Sequence, residues 1–200
     1  MKRARRWAGV DVGARKKGFH VAVVSTSGIE ARFRATDPAA VAAFLSEQGP
    51  RVVAVDSPRS PARPRQRSRE DERALVRAGV CGIRFIPDHA TLRSHPRGFY
   101  DWVLNGFALY EELVAAPEAR WAVIECFPTA SFTRIGGPRG ATSRAAWSRD
   151  VLARLGFDPL GNQDERDAVM AALTARIYDE DGCERFGEIF VPRPGALITV

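Results

Sequence analysis

The chain is short of the residues that build disulfide frameworks, zinc sites and membrane spans. Its three cysteines, Cys81, Cys126 and Cys183, lie far apart and form no CxxC pair, which is typical of reduced thiols in a cytoplasm. No run of about 18 apolar residues is present, so no membrane-spanning helix is expected. The basic start at residues 1–6 is not followed by the apolar core of a signal peptide. We therefore expect a cytoplasmic protein without a membrane partner.

Lysine is also scarce. The sequence has 30 basic side chains and a formal net charge of +6, but its only lysines are Lys2, Lys16 and Lys17. An excess of basic over acidic side chains favours anionic partners such as nucleic acid, and arginine suits bidentate contacts with phosphate. A genomic bias toward arginine codons would give the same composition, so charge alone does not identify the partner.

The composition fits one globular domain over residues 1–200. Hydrophobic residues make up 45% of the 200, an ordinary share for a chain long enough to bury a large core. The segment at about 57–73 differs, because it is rich in proline and arginine and reads as a solvated loop. Four alternating arginines of this loop are candidate contacts for nucleic-acid phosphates: Arg63, Arg65, Arg67 and Arg69.

The order of predicted elements indicates an α/β fold. Three early strands have short connections and predict an antiparallel meander, and the continuous apolar run at 51–56 predicts a central parallel strand. The predicted strands are 7–12, 18–25, 29–35, 51–56 and 121–126, and the main helices are 37–49, 99–115, 143–155 and 164–178. The pattern also allows a helix at 70–78 and a small strand at 189–191. The order is shared by ribonuclease H-like folds, with a mixed five-stranded sheet and helices on both faces.

Carboxylates recur where the predicted strands end. Asp11, Asp56 and Glu125 each close an apolar strand, while Asp164 and Asp167 are three apart on one helix face. Taken singly, each acid has an ordinary structural explanation. Asp11 can belong to a turn, Asp56 and Glu125 can be acids just past a sheet edge, and Asp164 and Asp167 can belong to a helix start with a capping box and a favourable helix dipole. Taken together, clustered carboxylates repel, and a cation stabilises them. Hard oxygen ligands prefer Mg²⁺ or Mn²⁺, and two such ions about 4 Å apart support phosphodiester cleavage.

These acidic segments resemble the motifs of a known but uncharacterised family. The segments are Gly9-Val10-Asp11, Val53 to Pro58, Ile124 to Pro128 and Asp164 to Ala168. Their order and spacing are similar to those of predicted ribonuclease H-like nucleases grouped as domain of unknown function 429, from about Trp7 to Tyr178. The Asp-x-x-Asp-Ala element also resembles the last helix of RuvC-type Holliday-junction resolvases.

The resemblance implies a divalent-metal-dependent nuclease acting on structured DNA or RNA. It implies Asp11, Asp56 and Asp167 as ligands of Mg²⁺ or Mn²⁺, with Asp164 or Glu125 as a further ligand or a water-orienting base. The alternative is a non-catalytic module that binds nucleic acid or protein on the same scaffold. An actin-type or sugar-kinase phosphotransferase would need two such domains, which 200 residues do not hold. The oligomeric state, including a homodimer, stays open.

Other residue types give weaker signals. His20 lies within a strand pattern and is interpreted as a packing residue. His89 and His95 are interpreted as surface residues, one of which could donate a proton to a leaving group. Ser131 and Cys126 have no neighbouring histidine in a nucleophile signature. No P-loop sequence is present, so a P-loop NTPase is not expected.

Overall fold

A computed structural model of the chain describes residues 4–116, 120–157 and 160–196. Within them, seven strands form one mixed sheet in the order β3-β2-β1-β4-β5-β7-β6. The strands are β1 (Trp7–Val12), β2 (Phe19–Ser25), β3 (Gly28–Ala35), β4 (Val52–Asp56), β5 (Ala122–Cys126), β6 (Cys183–Phe186) and β7 (Ile189–Pro192). β1, β4, β5 and β7 pair in parallel, whereas β2, β3 and β6 pair antiparallel to their neighbours.

Helices cover both faces of this sheet. They are α1 (Pro38–Gln48), α2 (Glu70–Arg77), α3 (His89–Ser94), α4 (Asp101–Ala115), α5 (Pro128–Gly136), α6 (Arg144–Arg154) and α7 (Gln163–Asp179). One hydrophobic core joins the sheet to α1 and α4 through Leu45 and Leu109. The other joins it to α5, α6 and α7 through Phe132, Val151 and Met170. None of the described helices combines the length and apolar character that a membrane crossing needs.

Local sequence signals explain the element boundaries. The Asp37 carboxylate accepts a hydrogen bond from the Ala39 amide and caps the start of α1. Gly49, with a φ of 61°, ends the same helix in the left-handed conformation that glycine adopts at low cost. In β4, Val52 to Val55 are all buried, as expected for a central parallel strand.

The prediction of five strands is wrong, because the sheet has seven. β6 and β7 form a hairpin whose turn contains Gly187 at a φ of 63°, and β7 then adds to the sheet beside β5. Both strands have four residues, and the sequence of β6, Cys-Glu-Arg-Phe, carries no clear apolar alternation. The five predicted strands are present, and no boundary is shifted by more than one residue.

Candidate metal centre

Asp11 and Asp56 stand side by side near the carboxyl ends of neighbouring strands. β1 and β4 are parallel, and their register pairs Asp11 with Asp56. Paired residues point to the same face of a sheet, and successive residues alternate between faces. Both carboxylates therefore share the face that carries Trp7 and Ala54, which is the face covered by α7.

A glycine allows α7 to approach this face closely. A Cβ atom at Gly9 would lie 2.1 Å from the backbone nitrogen of Ala172 and 2.2 Å from the backbone oxygen of Ala168. No other residue fits there without moving the helix. Because α7 lies against β1 at backbone distance, Asp167, one residue before Ala168, reaches the ends of β1 and β4.

The result is two overlapping groups of metal-ligating side chains. Ligand oxygens of Asp11, Asp56 and Asp167 lie within 4.8 Å of one another, and a second set with the same spacing contains Asp11, His20 and Asp164. Asp164 lies one helical turn before Asp167, and His20 lies opposite Asp11 in the antiparallel β1–β2 pair. Asp11 belongs to both groups and lies at their junction.

Burial and mutual repulsion raise the pKa values of this cluster. Burial, then the charges of Asp167 and Asp164, raise the pKa of Asp11 to about 7. Burial, then the charge of Asp11, raises the pKa of Asp56 well above its ordinary value. Burial also raises the pKa of Asp167, although Arg144 opposes the shift. Several buried carboxylates in this state fit a hard divalent cation, which supplies the charge that the protein leaves uncompensated.

Two cations and an amide of the protein contact the cluster from outside. Lys17 Nζ lies 2.7 Å from Asp164 Oδ1, and Arg144 Nη2 lies 2.8 Å from Asp167 Oδ2. Gln163 Nε2 donates to Asp167 Oδ1 at 2.9 Å. These contacts fix the orientation of both α7 carboxylates. They also leave Asp11 and Asp56 without a direct ion pair to Lys or Arg among the described residues.

Glu125 does not join the cluster, so that of the two residues expected to supply a further ligand or base, Asp164 is the one that lies beside Asp11. It pairs in register with Val55, one residue before Asp56, and therefore points to the opposite face of the sheet. There its carboxylate accepts from Arg69 Nη1 at 2.9 Å and from the backbone amide of Arg59 at 2.8 Å. Its role is that of a buried ion-pair partner.

The arginine loop divides into an exposed part and a buried end. Arg63, Arg65 and Arg67 are exposed, whereas Arg69 is only 4% exposed. Arg69 pairs with Glu125, and its Nε lies 3.2 Å from Glu72 Oε1. The assignment of Arg69 as a phosphate contact is therefore wrong, because its guanidinium is enclosed by carboxylates at the start of α2.

Sequence reasoning missed several residues beside the cluster. An open groove of about 680 Å³ runs past Asp56 and is lined by cations and aromatic rings, namely Lys17, Arg84, Trp102, Phe127 and Arg144. The basic run Arg15-Lys16-Lys17, which begins two residues after Gly13, was a signal for one of these cations. Arg84, Trp102 and Arg144 carried no local signal, because loops and helices far apart in sequence bring them together.

Two solved structures of one resolvase are similar to this chain. One is Thermus thermophilus RuvC, with 21% identity, a TM-score of 0.49, and coverage of 88% of this chain and 96% of that chain. The other is T. thermophilus RuvC in complex with a Holliday junction substrate, with 20% identity, a TM-score of 0.50, and coverage of 89% and 96%. At such identity the likeness to the second structure shows the fold alone, which is ribonuclease H-like. No protein of curated function matches the sequence significantly.

The family assignment rests on a sequence model that spans most of the chain. The model, described as a protein of unknown function, matches residues 9–189. This range contains every acidic residue of the cluster and all the motifs on which the sequence resemblance depends. The chain therefore belongs to the DUF429 family.

Proposed function

We propose that this protein is a divalent-metal-dependent nuclease that hydrolyses phosphodiester bonds of structured nucleic acid. The observation that carries the proposal is the convergence of Asp11, Asp56 and Asp167 within 4.8 Å at the carboxyl ends of adjacent strands. The carboxyl ends of parallel strands are where α/β sheets bind their ligands. A protein that only binds nucleic acid gains nothing from this cluster of repelling acids.

Charge and shape support nucleic acid as the substrate. The chain has a net charge of +6, and three cations, Lys17, Arg84 and Arg144, line the groove beside the acids. Trp102 and Phe127 in the same groove offer flat rings on which unpaired bases can stack. The T. thermophilus RuvC of similar fold is described in complex with a Holliday junction substrate, which makes branched DNA a reasonable first test.

Each residue has a distinct role in this proposal. Asp11, Asp56 and Asp167 hold Mg²⁺ or Mn²⁺ ions, with Asp164 as a further ligand. Two such ions, when bound, activate water and stabilise the leaving oxygen. Arg144 and Lys17 neutralise phosphate oxygens and orient the α7 carboxylates. The rings of Trp102 and Phe127 fix the nucleotide beside the scissile bond.

The proposal is tested by cleavage of labelled junction, duplex and RNA–DNA hybrid substrates with Mg²⁺ or Mn²⁺. We expect cleavage of at least one substrate, abolished by EDTA and restored by added metal. If the purified protein binds these substrates and cuts none of them, the non-catalytic binding module becomes the better interpretation.

A further inference from the structure

One buried nitrogen beside the acidic cluster has no hydrogen-bond partner in the part of the chain that the structure describes. His20 is only 7% exposed, and its Nδ1 atom makes no hydrogen bond with any described residue. Leaving a buried polar atom unpaired is costly, so such atoms are usually satisfied by a protein group, a water or an ion. The surroundings of Nδ1 show which of these fits.

Two carboxylate oxygens face this nitrogen at distances too long for hydrogen bonds. Nδ1 lies 3.9 Å from Asp11 Oδ2 and 3.8 Å from Asp164 Oδ2. Two ligands bound about 2.1 Å from one ion are at most about 4.2 Å apart. The two distances from Nδ1 therefore match those between ligands of a shared cation, and the three side chains offer ligand atoms within 4.8 Å of one another.

The neighbouring contacts leave these oxygens available. Lys17 contacts Oδ1 of Asp164, so Oδ2 of the same carboxylate remains directed toward His20. His20 is fixed by strand pairing, because it lies opposite Asp11 in the β1–β2 register. Strand pairing thus places the His20 backbone beside Asp11 before any ligand arrives.

We infer that Asp11, His20 and Asp164 form a second metal position, in which the imidazole Nδ1 is a ligand and Asp11 is shared with the first position. Position one, made by Asp11, Asp56 and Asp167, offers only oxygen and suits Mg²⁺. Position two offers one nitrogen, which shifts its preference toward first-row transition ions, of which Mn²⁺ also accepts the carboxylates. The inference deepens the proposed function and rests on its metal site.

The test is Mn²⁺ binding to the full chain, measured without any nucleic acid. Titration followed by electron paramagnetic resonance should show two bound ions. Electron spin echo envelope modulation should show coupling to ¹⁴N from an imidazole. In the His20→Asn variant the ¹⁴N coupling should disappear, and one of the two ions should bind at least about 10-fold more weakly. The Asp56→Asn variant should keep the coupling, because it changes only the first position.

Two controls keep the result specific. His89→Asn changes an exposed histidine outside the cluster and should leave the coupling unchanged. Wild-type protein labelled with ¹⁵N-histidine should lose the ¹⁴N pattern, a readout that does not depend on the folding of any variant. Mn²⁺ binding without imidazole coupling would overturn this inference and leave the proposed nuclease intact. No Mn²⁺ or Mg²⁺ binding at all would overturn both.

Discussion

Asp11 and Asp56 are register partners in adjacent parallel strands, and this one pairing places two carboxylates on the face that α7 covers. The strand pair supplies two acids and the helix supplies Asp167, so the cluster exists only when sheet and helix are assembled. A site of this kind depends on folding and cannot form in a local segment.

Removing the charge of Asp11 should abolish cleavage and spare folding. Asp11→Asn keeps the size of the side chain but removes a ligand common to both groups, so we expect a rate loss on the order of 10³-fold or more, which is about 4 kcal/mol of transition-state stabilisation. The measurement is single-turnover cleavage of the best substrate. Asp150→Asn, an exposed acid on α6, is the matched control and should cut at the wild-type rate. Equal cleavage by Asp11→Asn and wild type would place the activity elsewhere.

The same carboxylate should make the metal-free protein less stable as pH rises. The pKa of Asp11 is about 7 in the folded protein against an ordinary 3.8, so the folded state binds the proton more tightly. The stabilisation from this proton is full below pH 3.8 and is lost as pH rises through 7. The shift of about 3 units corresponds to about 4 kcal/mol as an upper bound.

Thermal melts in EDTA between pH 4 and pH 8 test whether the stability of the metal-free protein falls as pH rises. The melting temperature of the wild type should fall across the range relative to Asp11→Asn, whose curve should be flatter and higher at pH 8. Mg²⁺ or Mn²⁺ added at pH 8 should restore the wild type and have less effect on the variant. A wild-type curve parallel to that of Asp11→Asn would contradict the raised pKa.

Much of the site was predictable because strand ends are visible in sequence. Apolar runs closed by Asp11 and Asp56 predict acids at one sheet edge, and the i, i+3 spacing predicts that Asp164 and Asp167 share a helix face. Glu125 closes a similar run, but its face depends on pairing with Val55 rather than with Asp56. A shift of one residue reverses the face, and sequence alone does not fix that register.

The neighbours of His20 and Arg69 could not be predicted from the sequence, for a related reason. His20 lies opposite Asp11 only because the turn between β1 and β2 sets the hairpin register, with the Gly13 amide donating to the Gly18 carbonyl at 2.8 Å. Arg69 follows the same alternation as Arg63, Arg65 and Arg67, yet it alone is buried, against Glu125 from a distant strand. In both cases the neighbours of the side chain are set by contacts with another part of the chain, which the local sequence does not reveal.

Gly9 should be intolerant of any side chain. A Cβ atom there would lie 2.1 Å from the Ala172 backbone nitrogen, so Gly9→Ala must push α7 away from β1. Overpacking of this kind costs typically about 1–3 kcal/mol, and a backbone clash belongs at the upper end or beyond. The measurement is the free energy of unfolding in urea. Gly82→Ala is the matched control, because a Cβ atom at Gly82 meets nothing within 4 Å and should leave stability nearly unchanged.

Within the arginine loop, Arg69 should contribute to protein stability, whereas the three exposed arginines should contribute to nucleic-acid binding. Arg69→Ala leaves the buried Glu125 carboxylate without its main partner, and removing one member of a buried pair costs about 3–5 kcal/mol of stability. Replacing Arg63, Arg65 and Arg67 together with Ala changes only exposed side chains and should leave the melting temperature within about a degree or two.

Nucleic-acid binding, unlike stability, should depend on the three exposed arginines. The triple variant should bind all nucleic-acid sequences more weakly, and the slope of log affinity against log salt should fall by about one unit for each phosphate that these arginines neutralise in the wild type. Fluorescence anisotropy with labelled duplex and junction DNA in EDTA measures this slope without cleavage. An unchanged slope in the triple variant would show that the loop is only a solvated connection, and phosphate binding would then be assigned to Lys17, Arg84 and Arg144 in the groove.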